Sequence, residues 1–160
     1  MPTEGRIPDI SEDDYFFEML EVEKRLSEDP NTQMSACIVN EDKSVIILGH
    51  NHSPNGFSNM PWGKTEENEL DTKYPYVIHA ELDAITKAIK NGITTAGKKM
   101  YILNYPCNEC AKAIVQSGIK EIVCLNDNYH NSLFTVAARK ILEASGIKVT
   151  VINEYVKQEE

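Results

Sequence analysis

The chain has 160 residues, enough for one domain built around one core. Its formal net charge of -9 argues against coating DNA or RNA, where phosphate contacts dominate affinity, but leaves room for a small anion in a local pocket. With 41% hydrophobic and 26% charged residues the composition is globular, and no apolar run reaches the roughly 20 residues of a membrane span. The stretch from Met1 to Asp14 is acidic and lacks the apolar centre of a secretory signal. Four cysteines, two of them close together, do not form the framework of a secreted disulfide scaffold. The expected setting is a reducing cytoplasm, with no membrane partner and no nucleic acid. Residues 1–160 are expected to form a single domain with a core over about 12–152.

Ser11 followed by Glu12, Asp13 and Asp14 reads as a helix N-cap and an acidic first turn. Tyr15, Phe16, Met19, Leu20 and Leu26 continue at helical spacing to about Asp29, and Pro30-Asn31 stops the run. Ala36–Val39 and Val45–Leu48 are short apolar runs around Asn40-Glu41-Asp42-Lys43, the pattern of a β-hairpin. Gly49–Tyr76 is irregular and carries Pro54, Pro61, Trp62, Tyr74, Pro75 and Tyr76. A loop of this length in a compact domain is functional or mobile.

A helix follows over Ala80–Asn91, with Gly92 at the position of a left-handed cap. Met100–Leu103 reads as a strand, Cys107–Ser117 as a helix stopped by Gly118, and Glu121–Leu125 as a strand. Leu133–Ala144 reads as a helix stopped by Gly146, and Ile147–Ile152 as the last strand. Ser-Gly-Ile-Lys recurs at Ser117–Lys120 and Ser145–Lys148, marking the same helix-to-strand joint twice. The order α-β-β-α-β-α-β-α-β predicts an α/β fold: three layers, with a mixed five-stranded sheet covered by helices on both faces. Chemistry is then expected where helix N-termini meet the C-terminal ends of the later strands.

Two clusters carry chemical meaning. His79-Ala80-Glu81 opens one helix, and Pro106-Cys107-Asn108-Glu109-Cys110 opens the next. The Cys pair alone fits a redox dithiol, half of a structural zinc site, or coincidence, and a helix-opening His alone fits a surface residue. Together they make a stronger case. Two thiolates at one helix N-terminus and an imidazole at its neighbour form a Cys₂His set, which leaves the fourth tetrahedral position of zinc open. Glu81, beside the ligands, suits proton transfer; its plainer role is to complement the helix dipole. Cys37 and Cys124 lie among Ile and Val in strands and read as core residues.

The pairing of His-x-Glu with Pro-Cys-x-x-Cys resembles the zinc-dependent cytidine/deoxycytidylate deaminase family. The likeness extends to Lys73–Leu82, Pro106–Lys112, Gln116–Lys120, Ala36–Asn40, Pro61-Trp62, Tyr129-His130 and Ala138–Lys140. It is closest to the branch that acts on deoxycytidylate (dCMP), and covers about Tyr15 to Val151. The resemblance implies the cytidine deaminase-like fold, hydrolysis of dCMP to dUMP and ammonia, a supply of dUMP for thymidylate synthesis, and a homohexamer. It assigns zinc to His79, Cys107 and Cys110. Glu81 takes a proton from the attacking water, delivers it to N3 of the ring, and later helps the amine leave. Asn51 matches a sugar-contacting asparagine and Tyr129 a position near the nucleotide.

The sequence also departs from the family pattern. Leu26-Ser27-Glu28 stands where basic residues precede Asp29-Pro30, and Ser35 and Asp83 replace a Gly and an Asn. His50 and His52 replace the Tyr and the second Gly of a segment associated in the family with dCTP. The expectation is that dCTP activation is lost, with the two histidines contacting anions or a second metal. Alternation along the strand predicts that His50 and His52 project to one side and Asn51 to the other.

Overall fold

The computed structural model describes residues 3–157. In chain order the elements are α1 (Glu12–Glu23), β1 (Ser35–Val39), β2 (Ile46–His50), α2 (Ala80–Lys90), β3 (Lys99–Asn104), α3 (Asn108–Gln116), β4 (Glu121–Asn126), α4 (Leu133–Ala144) and β5 (Lys148–Asn153). The sheet order is β2-β1-β3-β4-β5. β1 runs antiparallel to both β2 and β3, whereas β3, β4 and β5 are mutually parallel. The expected mixed five-stranded sheet is therefore present, with its antiparallel part supplied by the hairpin.

Strand alternation divides the interior into two clusters. Ala36, Ile38, Met100, Ile102, Ile122 and Cys124 face one way and pack with residues of α2, α3 and α4. Cys37, Val39, Tyr101, Leu103 and Val123 face the other way, onto Phe16, Phe17 and Leu20 of α1. Tyr101 sits inside this second layer, and its hydroxyl donates to Asp13 Oδ1 at 2.6 Å. Cys37 and Cys124 are fully buried, as their strand context predicts. Gly92, Gly118 and Gly146 adopt φ of 67°, 78° and 71° after their helices, the left-handed cap expected of them.

Two boundaries differ most from the sequence reading. The first helix stops at Glu23 and tightens into a 3-10 turn over Lys24–Leu26 instead of running to Asp29. Two side chains redirect the chain. Ser27 Oγ donates to Asn51, and the Asp29 carboxylate accepts the N–H groups of Asn31 and Thr32 at 2.8 and 3.1 Å. The second hairpin strand extends past Leu48, because Gly49 and His50 still pair with Ala36 and Ser35.

The long irregular stretch is pinned at several points. His52 pairs with Ile78 in both directions, at 3.1 and 2.9 Å, and Gly63 forms a bridge with Thr72. Phe57 meets Tyr76 edge to face. Lys73 Nζ donates to Asp29 Oδ2 in an ion pair whose side chains are only 8% and 1% exposed. Of these, the His52–Ile78 pairing places the exit of β2 directly beside the start of α2.

Candidate functional site

His79 and Cys107 are the N-cap residues of α2 and α3, and neither uses its side chain to cap its helix. Both side chains are thereby free to point at a common centre. Cys110 lies in the first turn of α3, the side bearing the positive end of the helix dipole. His79 Nδ1 lies 3.5 Å from the sulfurs of both Cys107 and Cys110. The three donor atoms fall within 4.8 Å of one another, the only such group of three or more His, Cys, Asp or Glu among the described residues.

Zinc–sulfur bonds of about 2.3 Å and zinc–nitrogen bonds of about 2.0 Å at a tetrahedral angle place N and S about 3.5 Å apart. The observed spacing therefore fits zinc, and the donor set, two sulfurs and one imidazole, is chemically suited to it. As zinc ligands these three residues would leave a fourth coordination position open.

The surroundings tune these groups strongly. Cys110 donates to Cys107, holding the Cys107 thiol down at about 4, with His79 assisting against burial. The same hydrogen bond, together with burial, pushes Cys110 up. Cys107 raises His79, against burial and the Lys73 ammonium. Glu81 is buried, with Oε2 3.5 Å from Cys110 Sγ, and burial raises its carboxyl above the usual range. A carboxyl raised in this way can both accept and donate a proton.

The other sequence-derived residues have different settings. Asn51 is buried; its Oδ1 accepts from Ser27 Oγ at 2.6 Å and Met34 N at 2.9 Å, while Nδ2 donates to Thr32 O at 2.8 Å. One amide proton is left over. Tyr129 is 62% exposed in the turn after β4, where its carbonyl accepts from Ser132 N.

His50 and His52 share one side, as alternation predicts, with ring centroids 5.5 Å apart. They bind neighbouring carboxylates: His50 Nδ1 lies 3.0 Å from Glu23 Oε1, and His52 Nε2 lies 2.7 Å from Asp83 Oδ1. Among the described residues, neither belongs to a three-donor metal cluster. Burial raises Asp83, but Lys87, His52 and the His50 N–H outweigh it and leave the carboxyl below its usual range.

The sequence reading gives no individual role to two contributors. Lys73 lies 44 residues from Asp29, its buried partner. Gly49 lacks the side chain that would strike Ala80 O at 2.5 Å and Ala84 N at 2.6 Å, so β2 and the first turn of α2 can approach closely.

Paired helix N-termini holding a Cys₂His set, with a buried carboxyl alongside, define a metal centre of the kind used for hydrolysis. Residues 10–126 match the profile of the cytidine and deoxycytidylate deaminase zinc-binding region, and the chain belongs to that family. It is 46% identical over 136 residues to the deoxycytidylate deaminases of Mus musculus and Homo sapiens, spanning 84% of this chain and 75% of each relative. The dCMP deaminase of cyanophage S-TIM5, crystallised with dCMP and dUMP, has the same fold. Its TM-score is 0.68 at 24% identity, over 86% of this chain and 93% of that one.

Proposed function

We propose that the protein hydrolyses dCMP to dUMP and ammonia. The observation that carries the chemistry is the convergence of His79, Cys107 and Cys110, with the Glu81 carboxyl 3.5 Å from one of the sulfurs. The choice of dCMP rests on the 46% identity to mammalian deoxycytidylate deaminases.

His79, Cys107 and Cys110 would hold the zinc. Zinc bound there acidifies water, so that a nucleophile is available at neutral pH. Glu81 takes the proton that this water gives up and passes it to N3 of the cytosine. A second proton, carried by the same carboxyl to the exocyclic nitrogen, lets the amine leave as ammonia. The net change is one water consumed and one ammonia released. Asn51, held by Ser27, Thr32 and Met34, offers its remaining amide proton to the sugar. Tyr129 covers the nucleotide from the turn after β4.

Acidic residues near Asn51 favour one second reading, a nucleoside substrate. Glu28 holds Ser53 Oγ at 2.9 Å, and Lys73 is engaged by Asp29. Ammonia release from cytidine, deoxycytidine, dCMP and dCTP by the zinc-loaded protein separates the readings. Preference for dCMP supports the first, and preference for deoxycytidine the second.

Assembly as a homohexamer, implied by the family resemblance, is consistent with the exposed Leu133 and Phe134 on α4 and Val22 on α1. Light scattering that finds only a monomer of 18.0 kDa contradicts it. No helix of the described residues is long and apolar enough to cross a membrane.

A further inference from the structure

Both ring nitrogens of His52 face acceptors. Nδ1 lies 2.5 Å from the Ser53 carbonyl oxygen, and Nε2 lies 2.7 Å from Asp83 Oδ1. The ring thus bridges its own segment and the first turn of α2 through its two nitrogens.

Charged groups surround the ring. α2 contributes Asp83, with Lys87 Nζ 2.8 Å from its Oδ2. α1 contributes Glu23, bound to the neighbouring His50 ring, and the segment after α1 contributes Glu28, bound to Ser53 Oγ.

The same residue spans the two halves of the site. Its backbone pairs with Ile78, the residue before His79, and its neighbour is Asn51. Its ring reaches the first turn of α2, two residues beyond Glu81. Asp83 Oδ2 strengthens the link by accepting the His50 N–H at 3.1 Å.

We propose that His52 is a positioning residue: through its ring contact with Asp83 it clamps the segment bearing Asn51 to the first turn of α2, and so sets the distance between the sugar wall and Glu81. This rests on the deamination reading above. Loss of the bond between the ring and Asp83 loosens the sugar wall. Glu81 and the zinc ligands stay in place, because α2 and α3 hold them independently. The clamp therefore acts on substrate binding and not on the chemical step.

The test compares the zinc-loaded full chain with His52→Gln and Asp83→Asn, measuring zinc content, kcat and KM for dCMP, and Kd for dUMP by calorimetry. Full zinc content is expected, with kcat held within about twofold, while KM and the dUMP Kd rise about tenfold through loss of one hydrogen bond to a carboxylate. Wild-type KM in His52→Gln overturns the clamp, as does a parallel loss of zinc and kcat, which marks a purely structural role. If the wild type neither binds nor converts dCMP, the functional reading fails instead. Amide hydrogen exchange over residues 50–53 then decides: faster exchange in His52→Gln supports the clamp, and wild-type protection overturns it. Should His52→Gln not fold, Asp83→Asn carries the same measurements.

Discussion

The close approach of β2 to α2 yields a sharp expectation for Gly49→Ala. A Cβ at this position would lie 2.5 Å from Ala80 O, 2.6 Å from Ala84 N and 3.1 Å from Ala84 Cα, where ordinary contacts begin at 3.4 Å. All three atoms are backbone at the N-terminal end of α2, so no side chain can swing aside. The turn must retreat by about 1 Å, and overpacking of this sort costs about 1–3 kcal/mol. For a domain of this size each kcal/mol lowers Tm by about 2–4 °C, which gives a drop of about 5 °C. The same turn carries Glu81 and is capped by His79, and a misplacement of about 1 Å at a reacting group can cost about 100-fold in turnover. Calorimetry, zinc content and ammonia release measure the three effects. Gly92→Ala is the control: its φ of 67° imposes strain, but nothing lies within 4 Å of the added methyl, so Tm should fall without loss of kcat. If Gly49→Ala keeps the wild-type Tm, the close-approach reasoning is wrong. If Tm falls while kcat is unchanged, the link from Gly49 to the site is wrong.

Cys107→Ala removes one of three donors and should lose both zinc and activity; a full equivalent of zinc in that variant would contradict the assigned ligand set. Glu81→Gln should keep zinc and fold while turnover falls by about 10² to 10⁴, the span of a general acid–base contribution, and near-normal turnover would remove Glu81 from the mechanism. Lys73→Met leaves Asp29 buried without its ammonium and should destabilise by about 3 kcal/mol at neutral pH. Burial raises Asp29, but Lys73 and the N–H groups of Asn31 and Thr32 outweigh it, so its folded pKa lies below the ordinary carboxylate value. Its stabilisation is then complete above that value and lost as pH falls through the folded pKa. Urea unfolding should show the cost of Lys73→Met shrinking in acid, and a cost independent of pH would exclude the Asp29 partnership.

Much of this molecule can be read along the chain, because its signals are local. The acidic cap at Ser11, the alternation in Ala36–Val39 and Glu121–Leu125, and the glycines after α2, α3 and α4 specify their elements within a few residues. The candidate site is legible for the same reason: His79 and Glu81 lie two residues apart, Cys107 and Cys110 three, and each pair sits at a helix start. What spacing does not contain is how distant segments meet. The first helix has apolar spacing to Leu26 and beyond, yet it ends at Glu23 because Ser27 turns to Asn51 and Asp29 to Lys73, partners 24 and 44 residues away. Asn51 reads as a polar residue after a strand; only the packed chain gives it three partners and one spare proton. His50, His52 and Asp83 are separate oddities in the sequence, and tertiary pairing makes them one charged cluster. Local sequence fixes backbone preference and which face is apolar. The protonation of Glu81, the ring contact of His52 with Asp83, and the approach of Gly49 to Ala80 depend on burial and on partners that only the folded chain supplies.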